Sequence, residues 1–148
     1  MASDFTELDV SGQGLSELDL SKYPKLEVLY CGDNQLKHLD LSQNPNLYKL
    51  WCPRNLLTQI DLSFTRDLFV LGCEENQIAN LDFSGTPRLQ YLLCNDNELR
   101  ELDLTSTPLL LNLSCGKNQL MEIHLPSNNE LESISCAQNF LTQLDISN

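Results

Sequence analysis

Glycine and proline are scarce, at six each in 148 residues, and tryptophan occurs once. So few backbone breakers exclude a disordered low-complexity chain. Positive charge is in deficit as well: nine Lys and Arg stand against 21 Asp and Glu, a formal net charge of -12. Nucleic acid and anionic membrane surfaces both require clustered cations, so both are excluded as partners. No apolar run reaches the roughly 18–20 residues of a spanning helix, which excludes helical membrane insertion. Met1-Ala2-Ser3-Asp4 does not open like a signal peptide. Histidine is nearly missing too. His38 and His124 lie 86 residues apart, and the sequence holds no glycine-rich phosphate loop, H-E-x-x-H or G-x-S-x-G. The expectation is a protein that is no enzyme.

What is abundant is leucine, with 32 residues, and asparagine, with 14. That pairing points to internal repetition. Six cysteines fall at Cys31, Cys52, Cys73, Cys94, Cys115 and Cys136, a constant step of 21. Three residues after each stands Asn34, Asn55, Asn76, Asn97, Asn118 or Asn139. Leucine or isoleucine holds the positions five and two before the cysteine and five after it, from Leu26, Leu29 and Leu36 to Leu131, Ile134 and Leu141. The unit is L-x-x-L-x-C-x-x-N-x-L with a ten-residue return that usually reads x-x-L-D-L-S-x-x-P-x. A weaker first copy uses Phe5, Leu8, Val10 and Leu15, with Gln13 in the asparagine column. One domain, 1–148, is expected, in seven units at 5–25, 26–46, 47–67, 68–88, 89–109, 110–130 and a partial 131–148. Neither end carries a clear cap.

From Phe5 to Ile146 this pattern resembles the leucine-rich-repeat family, whose signature is L-x-x-L-x-L-x-x-N/C-x-L. The 21-residue unit with its second L-D-L segment looks like the short bacterial subclass. The departure is cysteine at the third leucine position, and a thiol there is still a small hydrophobe. The resemblance implies a recognition scaffold. It implies, for a piece of a longer bacterial protein, a secreted or cell-surface setting; the residues themselves leave the compartment open, cytoplasmic if the chain is not such a piece.

The residues themselves lead to a solenoid. Alternation around L-x-L-x-C has the period of a strand, and one strand cannot bury its apolar side alone. Stacking the next unit about 4.8 Å away pairs the backbones in parallel and lays identical residues on one another. Asparagine both donates and accepts, so a buried column of it satisfies turn groups that water cannot reach. Ten return residues leave no room for a normal helix. The expected fold is therefore a gently curved, right-handed leucine-rich-repeat solenoid, with a parallel β-sheet on the concave side and extended or short 3-10 segments on the convex side.

Two columns invite chemistry. The cysteines should be buried, reduced thiols, because parallel Cβ vectors suit disulfides poorly and the C-x20-C spacing matches no paired zinc pattern. Asp19, Asp40, Asp61, Asp82, Asp103 and Asp145, with His124 at the missing step, offer one carboxylate per layer. That is thin for calcium, and a Ser or Thr two residues on fits an aspartate that caps its own turn. No metal and no cofactor is expected.

Variation is concentrated on two outward columns of the strand. One reads Asp9, Tyr30, Trp51, Gly72, Leu93, Ser114, Ser135, and the other Glu7, Val28, Lys49, Val70, Tyr91, Asn112, Ser133. Aromatic and aliphatic residues gather in the middle units and polar ones at the ends. Val28, Tyr30, Lys49, Trp51, Val70, Tyr91 and Leu93, with Arg54 on the rim, form the expected partner-binding surface. Tyr48 and Phe69 widen it. Asp33, Glu74, Glu75, Asp96 and Lys117 complete a mainly acidic rim that suits a partner with a basic patch. The leading expectation is a non-catalytic protein-recognition module. The alternatives are a spacer that self-associates end to end through uncapped ends, and carbohydrate binding by the exposed aromatics.

Overall fold

The computed structural model describes residues 4–127 and 130–145. Ile146, the last apolar position of the repeat, and both chain ends lie outside the described residues. Nine strands of three residues are present among those described: β1 Glu7–Asp9, β2 Val28–Tyr30, β3 Lys49–Trp51, β4 Val70–Gly72, β5 Tyr91–Leu93, β6 Glu101–Asp103, β7 Asn112–Ser114, β8 Glu122–His124 and β9 Ser133–Ser135. Seven of them form one parallel sheet in the order β1-β2-β3-β4-β5-β7-β9. The remaining pair, β6 and β8, forms a small parallel sheet in the return segments. The only helical element described is the 3-10 turn Leu20–Lys22. Among the described residues no helix is long and apolar enough to cross a membrane.

The large sheet follows from the 21-residue step. Leu8, Leu29, Leu50, Leu71, Leu92, Leu113 and Ile134 face one another in unbroken register from β1 to β9. Leu29, Leu50, Leu71 and Leu92 are fully buried, together with the leucines five residues either side of the cysteines in the middle coils. The stack continues beyond the strands, as Leu56, Gln77 and Glu98 each donate a backbone N–H to the preceding coil at 2.9 Å. In the first and last coils Leu8, Leu15, Leu131 and Leu141 are only partly buried, since each has a neighbouring coil on one side.

The return side is thin, as its length demands. Its core comes from Leu41, Leu62, Phe83 and Leu104, each flanked by solvent-facing residues. A second buried polar column, Asn44, Thr65, Thr86 and Thr107, closes the turn that follows. The threonine hydroxyls donate to the carbonyls of Leu62, Phe83 and Leu104 at 2.8–3.1 Å. Asn44 donates to the Tyr23 carbonyl of the coil before at 2.8 Å. Three of the four precede a proline, which confines them to extended backbone and leaves a short polar side chain to satisfy the turn.

Candidate protein-binding surface

Strand alternation sends the residues on either side of each central leucine outward, so the two variable columns share the open face of the large sheet. They do not stand free of one another. Lys49 donates from Nζ to the Tyr30 hydroxyl at 2.9 Å, and its ammonium lies 4.9 Å from that ring's centre. Phe69 and Tyr91 meet with ring centres 5.4 Å apart at 54°. Trp51 lies across Gly72 of the next strand: a Cβ built on Gly72 would sit 2.5 Å from the indole Cε3. Any larger residue at that position would push the indole out of its place.

As a result Tyr30, Lys49, Trp51, Val70, Tyr91 and Leu93 are half-buried rather than fully open. Val28 departs furthest from expectation. It is 7% exposed, set in register between the longer side chains of Glu7 and Lys49. Tyr48, at 42% exposure, and Phe69 border a hollow beside the strands with Asp67 and Arg88, which pair at 2.9 Å. A second shallow hollow of about 330 Å³ runs from Tyr91 and Leu93 over Asn112, Ser114, Ser133 and Ser135. The middle of the face is therefore an aromatic platform with a hollow next to it that leucines floor and serines and Asn112 edge.

The rim has an order that the spacing did not reveal. Asp33, Arg54, Glu75, Asp96, Lys117 and Gln138, two residues after each cysteine, all adopt left-handed backbone with φ between 52° and 58°. Gly12 holds the same position in the first unit. Such backbone costs a non-glycine residue roughly 1–2 kcal/mol. Hydrogen bonds on both sides enforce it. The N–H groups of Asp33, Arg54, Glu75, Asp96 and Lys117 donate to the next coil at 2.8–3.0 Å. The asparagine that follows pins the carbonyls behind. Because the column is in register, its charges pair across coils. Arg54 donates from Nη2 to Asp33 Oδ2 at 2.7 Å and lies 3.6 Å from Glu75, while Lys117 meets Asp96 at 3.1 Å. Arg54 is thus held by its own rim.

Glu74 is different. It stands one residue after Cys73, where Gly32, Pro53, Asn95, Gly116 and Ala137 stand in other coils. Its Oε2 is shielded from solvent and takes no hydrogen bond; among the described residues only Asn44 Oδ1 shares that condition. Burial raises its carboxyl pKa, against the opposing pull of its own backbone N–H and of Arg54.

The two ladders perform as their chemistry suggests. In Asn76, Nδ2 donates to the carbonyls of Cys52, Cys73 and Glu74 at 3.1–3.2 Å, and Oδ1 accepts from the Leu57 N–H at 3.0 Å. Asn55, Asn97 and Asn118 repeat this pattern. The cysteines are free, and buried in every case but Cys136, which is partly exposed. Burial pushes the Cys115 thiol up to about 12 and raises Cys73 and Cys94 as well. On the other side, Asp40, Asp61, Asp82 and Asp103 accept the N–H of the Ser or Thr two residues on, at 2.9–3.0 Å. Hydrogen bonds from the side chain and the backbone of that Ser or Thr hold the four carboxyls below the usual range, the hydroxyl foremost at Asp40, Asp61 and Asp103 and the backbone foremost at Asp82. No group of three or more His, Cys, Asp or Glu is gathered for a metal among the described residues.

No protein-family model matches the sequence, and no curated protein does. Solved structures do. The functional domain of InlJ from Listeria monocytogenes, which includes a cysteine ladder, is 38% identical with a TM-score of 0.92, over 95% of this chain and 32% of that one. YopM from Yersinia enterocolitica is 30% identical with a TM-score of 0.70, over 79% of this chain and 25% of YopM. A leucine-rich-repeat protein of Leptospira interrogans, at 21% identity and a TM-score of 0.78, shares the fold over 86% of this chain and 36% of its own. The chain spans about a third of the length of these relatives or less.

Proposed function

Since the chain is a leucine-rich-repeat solenoid of the bacterial kind, with a 21-residue period and a cysteine ladder, we propose that it is a non-catalytic module that recognises a protein partner through the open face of its large sheet. The observation that carries this is the aromatic platform. Trp51 packs over Gly72, Tyr30 is bonded to Lys49 and Tyr91 meets Phe69, with polar residues toward both ends of the sheet. Large amphipathic side chains fixed before binding lose little freedom when a partner docks, and such residues dominate binding energy at protein interfaces. A catalytic role finds no support in the same geometry. The two histidines are four coils apart, on the order of 19 Å, and the buried thiols have no access to substrate.

The test is capture by the immobilised wild-type chain and by a Trp51→Ala, Tyr91→Ala variant, with melting temperature measured on both. The expected outcome is retention of a protein by the wild type, loss of at least tenfold in the variant (roughly 1.4 kcal/mol), and similar melting. Unchanged retention would move the interface off this face. A collapse in melting temperature would mark both rings as packing residues.

A further inference from the structure

The sheet face carries, at its edge, an acidic group with one oxygen that takes no hydrogen bond. Around the platform each cation is already engaged: Lys49 with Tyr30, Arg54 with Asp33 and Glu75, Lys117 with Asp96. Glu74 Oε2, by contrast, is out of contact with water and accepts nothing. Removing a carboxylate oxygen from water without a partner is costly, so a group left in that state gains most from a cation that arrives later. Its position favours such an arrival. Trp51 covers Gly72, and Glu74 follows Gly72 by two residues, about 7 Å along extended chain. An electron-rich indole face and a carboxylate with one unbonded oxygen thus lie within the span of one long basic side chain, once the Glu74 side chain turns outward. The net charge of -12 draws a basic surface toward the molecule from a distance.

Building on the sheet face as a protein-binding surface, we propose that Glu74 determines specificity there, by accepting an arginine or lysine of the partner that lies over Trp51 between flanking apolar residues. Guanidinium or ammonium pairs with the carboxylate, while the neighbouring aliphatic or aromatic side chains cover Tyr91 and Leu93. In the free protein the same carboxylate is a liability. Replacing it by an amide relieves the molecule and at the same time disarms the site, so stability and affinity shift in opposite directions.

A displayed library of random heptapeptides, selected on the intact chain, provides the probe, and Trp51, being the sole tryptophan, reports binding by its fluorescence. The expected peptides carry Arg or Lys beside an apolar residue and change that fluorescence. Glutamine in place of the peptide's basic residue weakens binding about tenfold on the wild type, and less than about threefold on Glu74→Gln. Glu74→Gln itself melts at or above the wild-type temperature. Peptides that bind in a Trp51-dependent way with no basic residue, or whose basic residue matters equally on Glu74→Gln, overturn the role of Glu74 and leave the surface standing. Peptides retained equally by immobilised wild type and immobilised Trp51→Ala, or a library without binders, overturn the surface as well.

Discussion

Each ladder asparagine employs its whole amide inside the protein. Asn76 reaches back to Cys52 of the preceding coil, closes its own turn on Cys73 and Glu74, and accepts from Leu57. No other side chain of that size offers two donors and an acceptor in one plane, and aspartate would bring a buried charge. Asn76→Ala strands an N–H and several carbonyls away from water at once. With each such group worth about 1–3 kcal/mol, the expected loss is roughly 3 kcal/mol, read as a lower urea midpoint with unchanged slope. Hydrogen-bond logic made this column legible from the 21-residue step alone. Other single residues were not legible in that way. Nothing in Arg54, Glu75 or Lys117 as residue types signals left-handed backbone, because the cause lies in bonds to the adjacent coil. The orphan oxygen of Glu74 is equally invisible until its neighbours' positions are fixed. Val28 looked open because alternation assigns a direction and says nothing of how far neighbouring side chains lean.

At the scale of the element, strand and return obey different constraints. A three-residue strand is set by its central leucine and the cysteine after it, and the L-x-L-x-C spacing discloses both. The return was foreseeable as thin, but its pairing as β6 and β8 in only two coils was not, since bridging there depends on small differences between adjacent turns. Its aspartates nonetheless act as the Asp-x-Ser pattern implies. Because hydrogen bonds from the Ser63 side chain and backbone lower the Asp61 pKa, the ionised carboxylate is favoured in the folded state. Its contribution is present above the unfolded value, near pH 4, and is lost as pH falls through the folded one. Asp61→Ala should therefore melt below the wild type at pH 7. The gap should narrow steadily below about pH 4, as thermal scans across pH 2–7 would reveal.

At the scale of the whole molecule, translational repetition decides what solvent can reach. A thiol in an interior coil is roofed and floored by its neighbours, whereas Cys136 lies in the last described coil and is partly exposed. Titration of the native protein with a thiol reagent should modify Cys136 first, and the remaining five only at the rate of unfolding. Rapid labelling of all six would contradict a continuous stack. The division between shared and variable positions is also a whole-molecule property. Positions repeated in every coil build the scaffold, and those that change from coil to coil place their aromatic and aliphatic residues in the middle units, at Val28, Tyr30, Trp51, Val70, Tyr91 and Leu93. That clustering was readable in the sequence, while the way Gly72 beds the indole required coordinates.

Each ladder asparagine closes its own turn and also bonds the coil before it, so every coil depends on its neighbour for part of its hydrogen bonding. Pulled by its two termini, such a molecule has no internal unit able to resist alone once its neighbour has gone. Extension would proceed as an unravelling from the tips inward, each event releasing one 21-residue turn, or on the order of 70 Å of slack.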